Sequence, residues 1–178
     1  MVFIDGANFF YSSKRAGLEK TSIKKLVEVV AEKRNLRRAY YYSSYIANDS
    51  KKLKFFEELK KEGIETRVAE LRVTDSGAKE KGIDILLAVD MLKLCRNNAY
   101  DTAVLVSGDE DFCELVSAVK DFGARVEVAA FSNSLSSKLA KCVDGIILLD
   151  DYKEKIKIWD WKDQSYYTSL SKIEILTY

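Results

Sequence analysis

Four aspartates stand where apolar runs give way to polar ones. Asp5 closes Val2-Phe-Ile4, and Asp109 follows the apolar segment Ala103 to Val106 through Ser107-Gly108. Asp111 falls in the first turn of the helix after that, and Asp84 opens a helical pattern whose other positions are mostly apolar. Each has a plain reading by itself: Asp5-Gly6 as a turn, Asp109 as a helix N-cap, Asp84 and Asp111 as acids favoured at a helix N-terminus. Gathered in one crevice, however, four carboxylates repel unless they are protonated or neutralised by a cation. A hard ion such as Mg²⁺ or Mn²⁺ suits that role, because it takes few carboxylates, keeps several waters and leaves room for a phosphate oxygen. Asp90 lies about 120° round the helix from Asp84. It is expected to face elsewhere, pairing with a lysine or capping a loop.

Composition narrows the chemistry. The 178 residues include no histidine, which removes the commonest general base and the Ser-His-Asp triad. Cys95, Cys113 and Cys142 form no CxxC pair and make a poor zinc set, so they read as reduced, packing thiols. Net charge is +1, from 29 basic against 28 acidic residues, so any basic surface for a polyanion must be local. The chain opens on Met1-Val-Phe-Ile-Asp5 without a cationic leader, and no apolar run approaches the roughly 20 residues of a membrane helix. A soluble, cytoplasmic protein with no membrane partner is the expectation.

The elements that must position these acids alternate between strand and helix patterns, as βαβ units do. Strands are expected at Val2 to Ile4, Ala39 to Ile46, Ile64 to Leu71, Ala103 to Val106, Val126 to Phe131 and Ile146 to Leu149. Helices are expected from about Ser22 to Arg34, around Leu53 to Leu59 with Gly63 as terminator, from Ile83 to Cys95, and from Phe112 to Gly123. A weak short helix is expected near Leu135 to Cys142. The result is an α/β, doubly wound sandwich with a mostly parallel sheet. In the order 3-2-1-4-5-6, strands one and four are neighbours at the switch point, and ligands bind beyond the carboxyl ends of such strands. The tail from Asp151 differs: Lys155-Ile-Lys-Ile-Trp159 and Lys172-Ile-Glu-Ile-Leu176 alternate like amphipathic strands.

Three ordered blocks carry a family likeness: Phe3-Ile-Asp-Gly-Ala-Asn8, Lys81-Gly-Ile-Asp-Ile-Leu-Leu-Ala-Val-Asp-Met91 and Val106-Ser-Gly-Asp-Glu-Asp-Phe112. Together they resemble the signatures of the NYN domain family, in the LabA-like branch of the PIN-like ribonuclease superfamily. The resemblance covers residues 1 to 150. It implies a PIN-like Rossmannoid three-layer sandwich and a Mg²⁺ or Mn²⁺ site. It further implies hydrolysis of RNA phosphodiesters by metal-activated water, with RNA a better expectation than DNA. Carried over by position, Asp5, Asp84, Asp109 and Asp111 are the metal-site acids. Asn8 orients Asp5 or a water, while Lys81, Ser107 and Asn8 are the substrate-binding candidates and Asp90 a lesser acid. Residues 151 to 178 inherit nothing and read as an extension, a hairpin or a homodimer element.

Other contacts are weaker. Arg72 and Lys79 suit a solvated loop; one of Phe9, Phe10 and Tyr11 is a candidate to stack on a base of single-stranded RNA, against core packing for the others. Lys51, Lys52, Lys54, Lys60 and Lys61 read as a charged solvent face. Against the nuclease stands a nucleic-acid-binding or assembly module with little turnover. An aspartyl phosphatase is disfavoured by Ala7, and an adhesion-type metal site by Asp5-Gly-Ala-Asn-Phe9.

Overall fold

The computed structural model of the chain describes residues 1–46, 49–74, 77–79 and 82–158, and the side chains of these except at 72–74 and 77–79. Lys81 and residues 159–178, with the expected substrate lysine and most of the expected hairpin or dimer element, lie outside the described residues.

Strand β1 (Val2–Asp5) runs without a loop into α1 (Gly6–Arg15), followed by α2 (Ile23–Ala31), β2 (Ala39–Ile46), α3 (Ser50–Lys61), β3 (Ile64–Thr74) and β4 (Gly77–Lys79). Then come α4 (Ile83–Arg96), β5 (Thr102–Val106), α5 (Cys113–Asp121), β6 (Arg125–Ala130), α6 (Ser137–Cys142), β7 (Gly145–Leu148) and α7 (Lys153–Ile156). The sheet order is β4-β3-β2-β1-β5-β6-β7. Six strands are parallel in the expected order, and β4 adds an antiparallel edge, pairing Arg72 with Lys79 through Thr74 with Gly77.

Side-chain alternation along the strands builds the three layers. Val2, Ile4, Tyr41, Val104 and Val106 face one core with Phe9, Leu26, Val30, Phe56 and Ile156 from α1, α2, α3 and α7. Phe3, Tyr40, Tyr42, Leu105 and Val128 face the other with Leu87 and Met91 of α4, Val116 of α5 and Leu139 of α6. Because β1 and β5 are covered on both sides, their sequences are continuous apolar runs rather than alternating ones. Cys95 and Cys113 are buried free thiols and Cys142 is half-buried. Burial, with Cys142 alongside, pushes the Cys113 thiol up to about 11, which suits packing rather than reactivity. Among the described residues no helix is long and apolar enough to cross a membrane.

Four expectations are corrected. Asp5-Gly6 is no turn: Asp5 is the N-cap of a helix, accepting from the Asn8 N–H. The polar stretch after Leu71 continues β3 and returns as β4. Lys155 and Ile156 belong to a helical turn rather than a strand, because Ile156 is fully buried against the α2 side and Lys153 pairs with Asp150 one turn back at 3.3 Å. Lys157 makes an isolated bridge, antiparallel to Thr21. Lys52, expected in the solvent, is 6% exposed.

Candidate active site

Strand order reverses between β1 and β5, which opens a crevice at their carboxyl ends. Asp5 is the last residue of β1 and 5% exposed. Its Oδ1 accepts the Asn8 N–H at 3.0 Å and its Oδ2 accepts the Ser107 hydroxyl at 3.1 Å. Ser107, 1% exposed, follows β5 directly, and its Oγ accepts the Asp109 N–H at 3.3 Å. One hydroxyl therefore joins the carboxylate of Asp5 to the backbone that carries Asp109. Asp109 caps the 3₁₀ turn Glu110–Phe112, with Oδ1 accepting from the Asp111 N–H at 3.0 Å. Asn8 closes the ring of bonds, its Oδ1 accepting the Gly108 N–H at 3.0 Å.

Two glycines let these backbones approach. A Cβ on Gly6 would lie 2.6 Å from the Tyr42 carbonyl oxygen, and one on Gly108 would lie 2.0 Å from the Ser134 carbonyl oxygen. The Ser136 N–H also donates to the Gly108 carbonyl at 2.9 Å, so the segment after β6 buttresses the loop that holds Asp109.

The structure thus gathers Asp5, Asn8, Ser107 and Asp109 and sets Asp111 directly beyond them. Ser107, expected among the substrate contacts, is buried and bonded to the scaffold of both acids. Asp84 is exposed in the first turn of α4, after the left-handed Gly82. Among the described residues, no three acidic or cysteine side chains form a group that could hold a metal ion. Asp90 is engaged elsewhere, though with an arginine rather than a lysine. Its Oδ2 accepts from Arg67 Nε at 3.1 Å and from the Tyr42 hydroxyl at 3.2 Å. Burial first, and then the Asp90 carboxylate, drive the Tyr42 hydroxyl far above its ordinary range, so it stays a donor. Arg67 and Tyr42 carry no local motif; their meeting with Asp90 is a product of the sheet register. Of the aromatic candidates, Phe9 is 2% exposed and stacks on Phe131 at 6.1 Å, a core role. Phe10 and Tyr11 are half-buried and meet edge to face at 5.3 Å.

A mostly parallel α/β sandwich with acids at the switch point defines a Rossmannoid of the PIN-like kind. The NYN domain model matches residues 1–150, and the chain belongs to that family, within the PIN-like nuclease superfamily. A solved protein of unknown function from Vibrio parahaemolyticus superposes with a TM-score of 0.74 at 22% identity, covering 88% of this chain and 94% of that one. That likeness shows the fold. An uncharacterized protein of Sinorhizobium fredii, y4oD, is 38% identical over 50 residues, which are 28% of this chain and 23% of that protein. The match therefore spans about a quarter of that relative's length.

Proposed function

We propose that the chain hydrolyses phosphodiester bonds of single-stranded RNA at the β1–β5 crevice, with Mg²⁺ or Mn²⁺. The observation that carries the reading is the Ser107 hydroxyl joining Asp5 to the backbone of Asp109 at the carboxyl ends of two central strands. The donors are carboxylate, hydroxyl and amide oxygens, which suit a hard ion. A cage of four carboxylates does not fit the described side chains. A site of one or two carboxylates completed by water and phosphate oxygens does fit, and it is the usual manner of Mg²⁺. Asp5 and Asp109 would be the direct ligands, with Asp84 and Asp111 acting on its waters. The chemistry such an ion supplies is a lowered pKa for bound water and charge stabilisation on the phosphoryl oxygens.

The chain's own residues supply position. The Asn8 N–H and the Ser107 hydroxyl each donate to one oxygen of Asp5, which orients that carboxylate. Asn8 and Ser107 also lock the loop of Asp109, so little reorganisation is left for the reaction itself. Lys81, whose spacing to Asp84 matches the family motif, would neutralise a substrate phosphate.

The test is cleavage of a labelled single-stranded RNA with Mg²⁺, with Mn²⁺ and with excess EDTA. Cleavage that needs metal and is abolished in Asp109→Asn, with the fold intact by circular dichroism, supports the reading. Activity that persists in EDTA, or an unaffected Asp109→Asn protein, overturns it. The alternative is a nucleic-acid-binding module of the same fold with little turnover. RNA binding without cleavage across metals and substrates would select it.

A further inference from the structure

The register places three residues in one row across the sheet: Asp5 of β1 pairs with Tyr42 of β2, which pairs with Arg67 of β3. At the usual strand spacing, the Arg67 Cα lies about 10 Å from that of Asp5. Tyr42 belongs to the core on the α4 side, and Arg67, level with it in register, shares that face. There Asp90, about 9 Å along α4 from Asp84 at 1.5 Å per residue, receives Arg67 Nε at 3.1 Å. The guanidinium carbon stands 5.5 Å from the centre of the Tyr40 ring.

This pairing is one-sided. Arg34 uses Nε, Nη1 and Nη2 on Ala31, Glu127 and Val30, and Arg125 uses Nε and Nη2 on Glu127 and Asp144. Arg67 uses Nε alone, and among the described residues no protein acceptor meets its Nη1 or Nη2. Its side chain is 44% exposed while that of Asp90 is 19% exposed. A carboxylate at Nε and a ring under the plane fix the fork, and among the described residues none occupies its outer edge. Two parallel N–H donors in that state match two oxygens of one phosphate.

We propose that Arg67, oriented by Asp90 and Tyr40, is a phosphate-binding subsite for the RNA strand that passes from the crevice onto the β2–β3 face. Asp90 is then a positioning residue outside the metal site, since its Oδ2 already serves Tyr42 and Arg67. The subsite rests on the RNA reading above. The plain competitor is a surface ion pair that binds nothing further.

The experiment is binding of a fluorescein-labelled single-stranded oligouridylate to the full chain in EDTA, by anisotropy over a series of salt concentrations. Arg67→Ala is expected to weaken binding about ten-fold, the loss of a charge-assisted hydrogen bond. It should also lower the slope of log Kd against log salt by about 0.7, the release from one phosphate of a single strand. Arg67→Gln should lose the same slope, while Arg67→Lys keeps it and recovers part of the affinity. Asp90→Asn should keep the slope and weaken binding, because the cation remains and its orientation is lost. Arg67→Ala and Arg67→Gln proteins that equal the wild type in affinity and slope overturn the subsite, and metal-dependent cleavage by the wild type would leave the nuclease reading standing. A wild type that neither binds nor cleaves RNA overturns both.

Discussion

The Ser107 hydroxyl donates to Asp5 Oδ2 over 3.1 Å although 102 positions separate the two residues, and the same oxygen accepts the Asp109 N–H. Ser107→Ala takes a buried partner from each. A polar group deprived of its partner inside a protein costs about 1–3 kcal/mol, so urea unfolding should shift by that amount. Cleavage should fall more than RNA affinity, because the loss loosens the acids rather than the strand. An unfolding midpoint equal to the wild type would show that the bridge holds nothing.

Gly108→Ala forces a methyl against the Ser134 carbonyl, 2.0 Å from where its Cβ would stand, with the Ser134 carbonyl carbon at 2.6 Å. Backbone cannot step aside as a flexible side chain does, so the loop of Asp109 must move. Overpacking of this kind costs about 1–3 kcal/mol. Gly17→Ala serves as the contrast: its site is open, and it bears only the strain of φ +83°. Both variants should lose stability by thermal melt, but only Gly108→Ala should also lose cleavage.

Acid should weaken the far side of the sheet. The Val126 N–H and then Lys120 hold the Asp144 carboxyl below its ordinary value, with Val126 N at 2.8 Å and Lys120 Nζ at 3.0 Å. A carboxyl whose folded pKa is depressed contributes stability above its unfolded pKa, near 3.9, and loses it as pH falls through the lower folded value. Asp144→Asn should therefore be less stable than the wild type at about pH 7, with the gap closing between about pH 5 and about pH 2. Denaturant melts across that range give the answer, and a gap independent of pH would refute the assignment.

Glu32 ends α2 at φ 52° and ψ −131°, a conformation that suits glycine. Its side chain is exposed, so little is lost by removing it. Glu32→Gly is expected to raise stability by up to about 1 kcal/mol as the strain is relieved, offset in part by the freer unfolded chain. A lower melting temperature would show that the Glu32 side chain contributes more than its backbone costs.

Most of the scaffold was legible because buried parallel strands write themselves as apolar runs. Val2 to Ile4 and Ala103 to Val106 are covered on both faces, and the order around them is that of a doubly wound sheet. Helix α1 was not legible. Gly6–Arg15 mixes glycine, serines, aromatics and lysine without a clear stripe, and only Phe9 among its aromatics is fully buried. The signal that would have found it is an aspartate three residues before Asn8, the spacing at which an N-cap carboxylate accepts an N3 N–H. Helix α7 was hidden because Ile156 and Ile158 alternate like a strand, while the burial of Ile156 and the Asp150–Lys153 pair select a turn. Within the site, Asp5, Asp109 and Asp111 were placed by their following strand ends. The link through Ser107 and the capture of Asp90 by Arg67 depend on partners 102 and 23 positions away, which no local pattern encodes.

Asp5 and Asp109 are both helix caps, and this has an evolutionary consequence. Asparagine and serine cap about as well as aspartate, so a single substitution at Asp109 can remove the charge and keep the cap, whereas at Asp5 it also costs the Ser107 hydroxyl its acceptor. Under the proposed function, descendants of such a chain could drift from cutting a strand to merely holding it without passing through an unfolded intermediate. If the proposed nuclease reading holds, the same latitude makes Asp109→Asn a candidate trap for a bound, uncut strand.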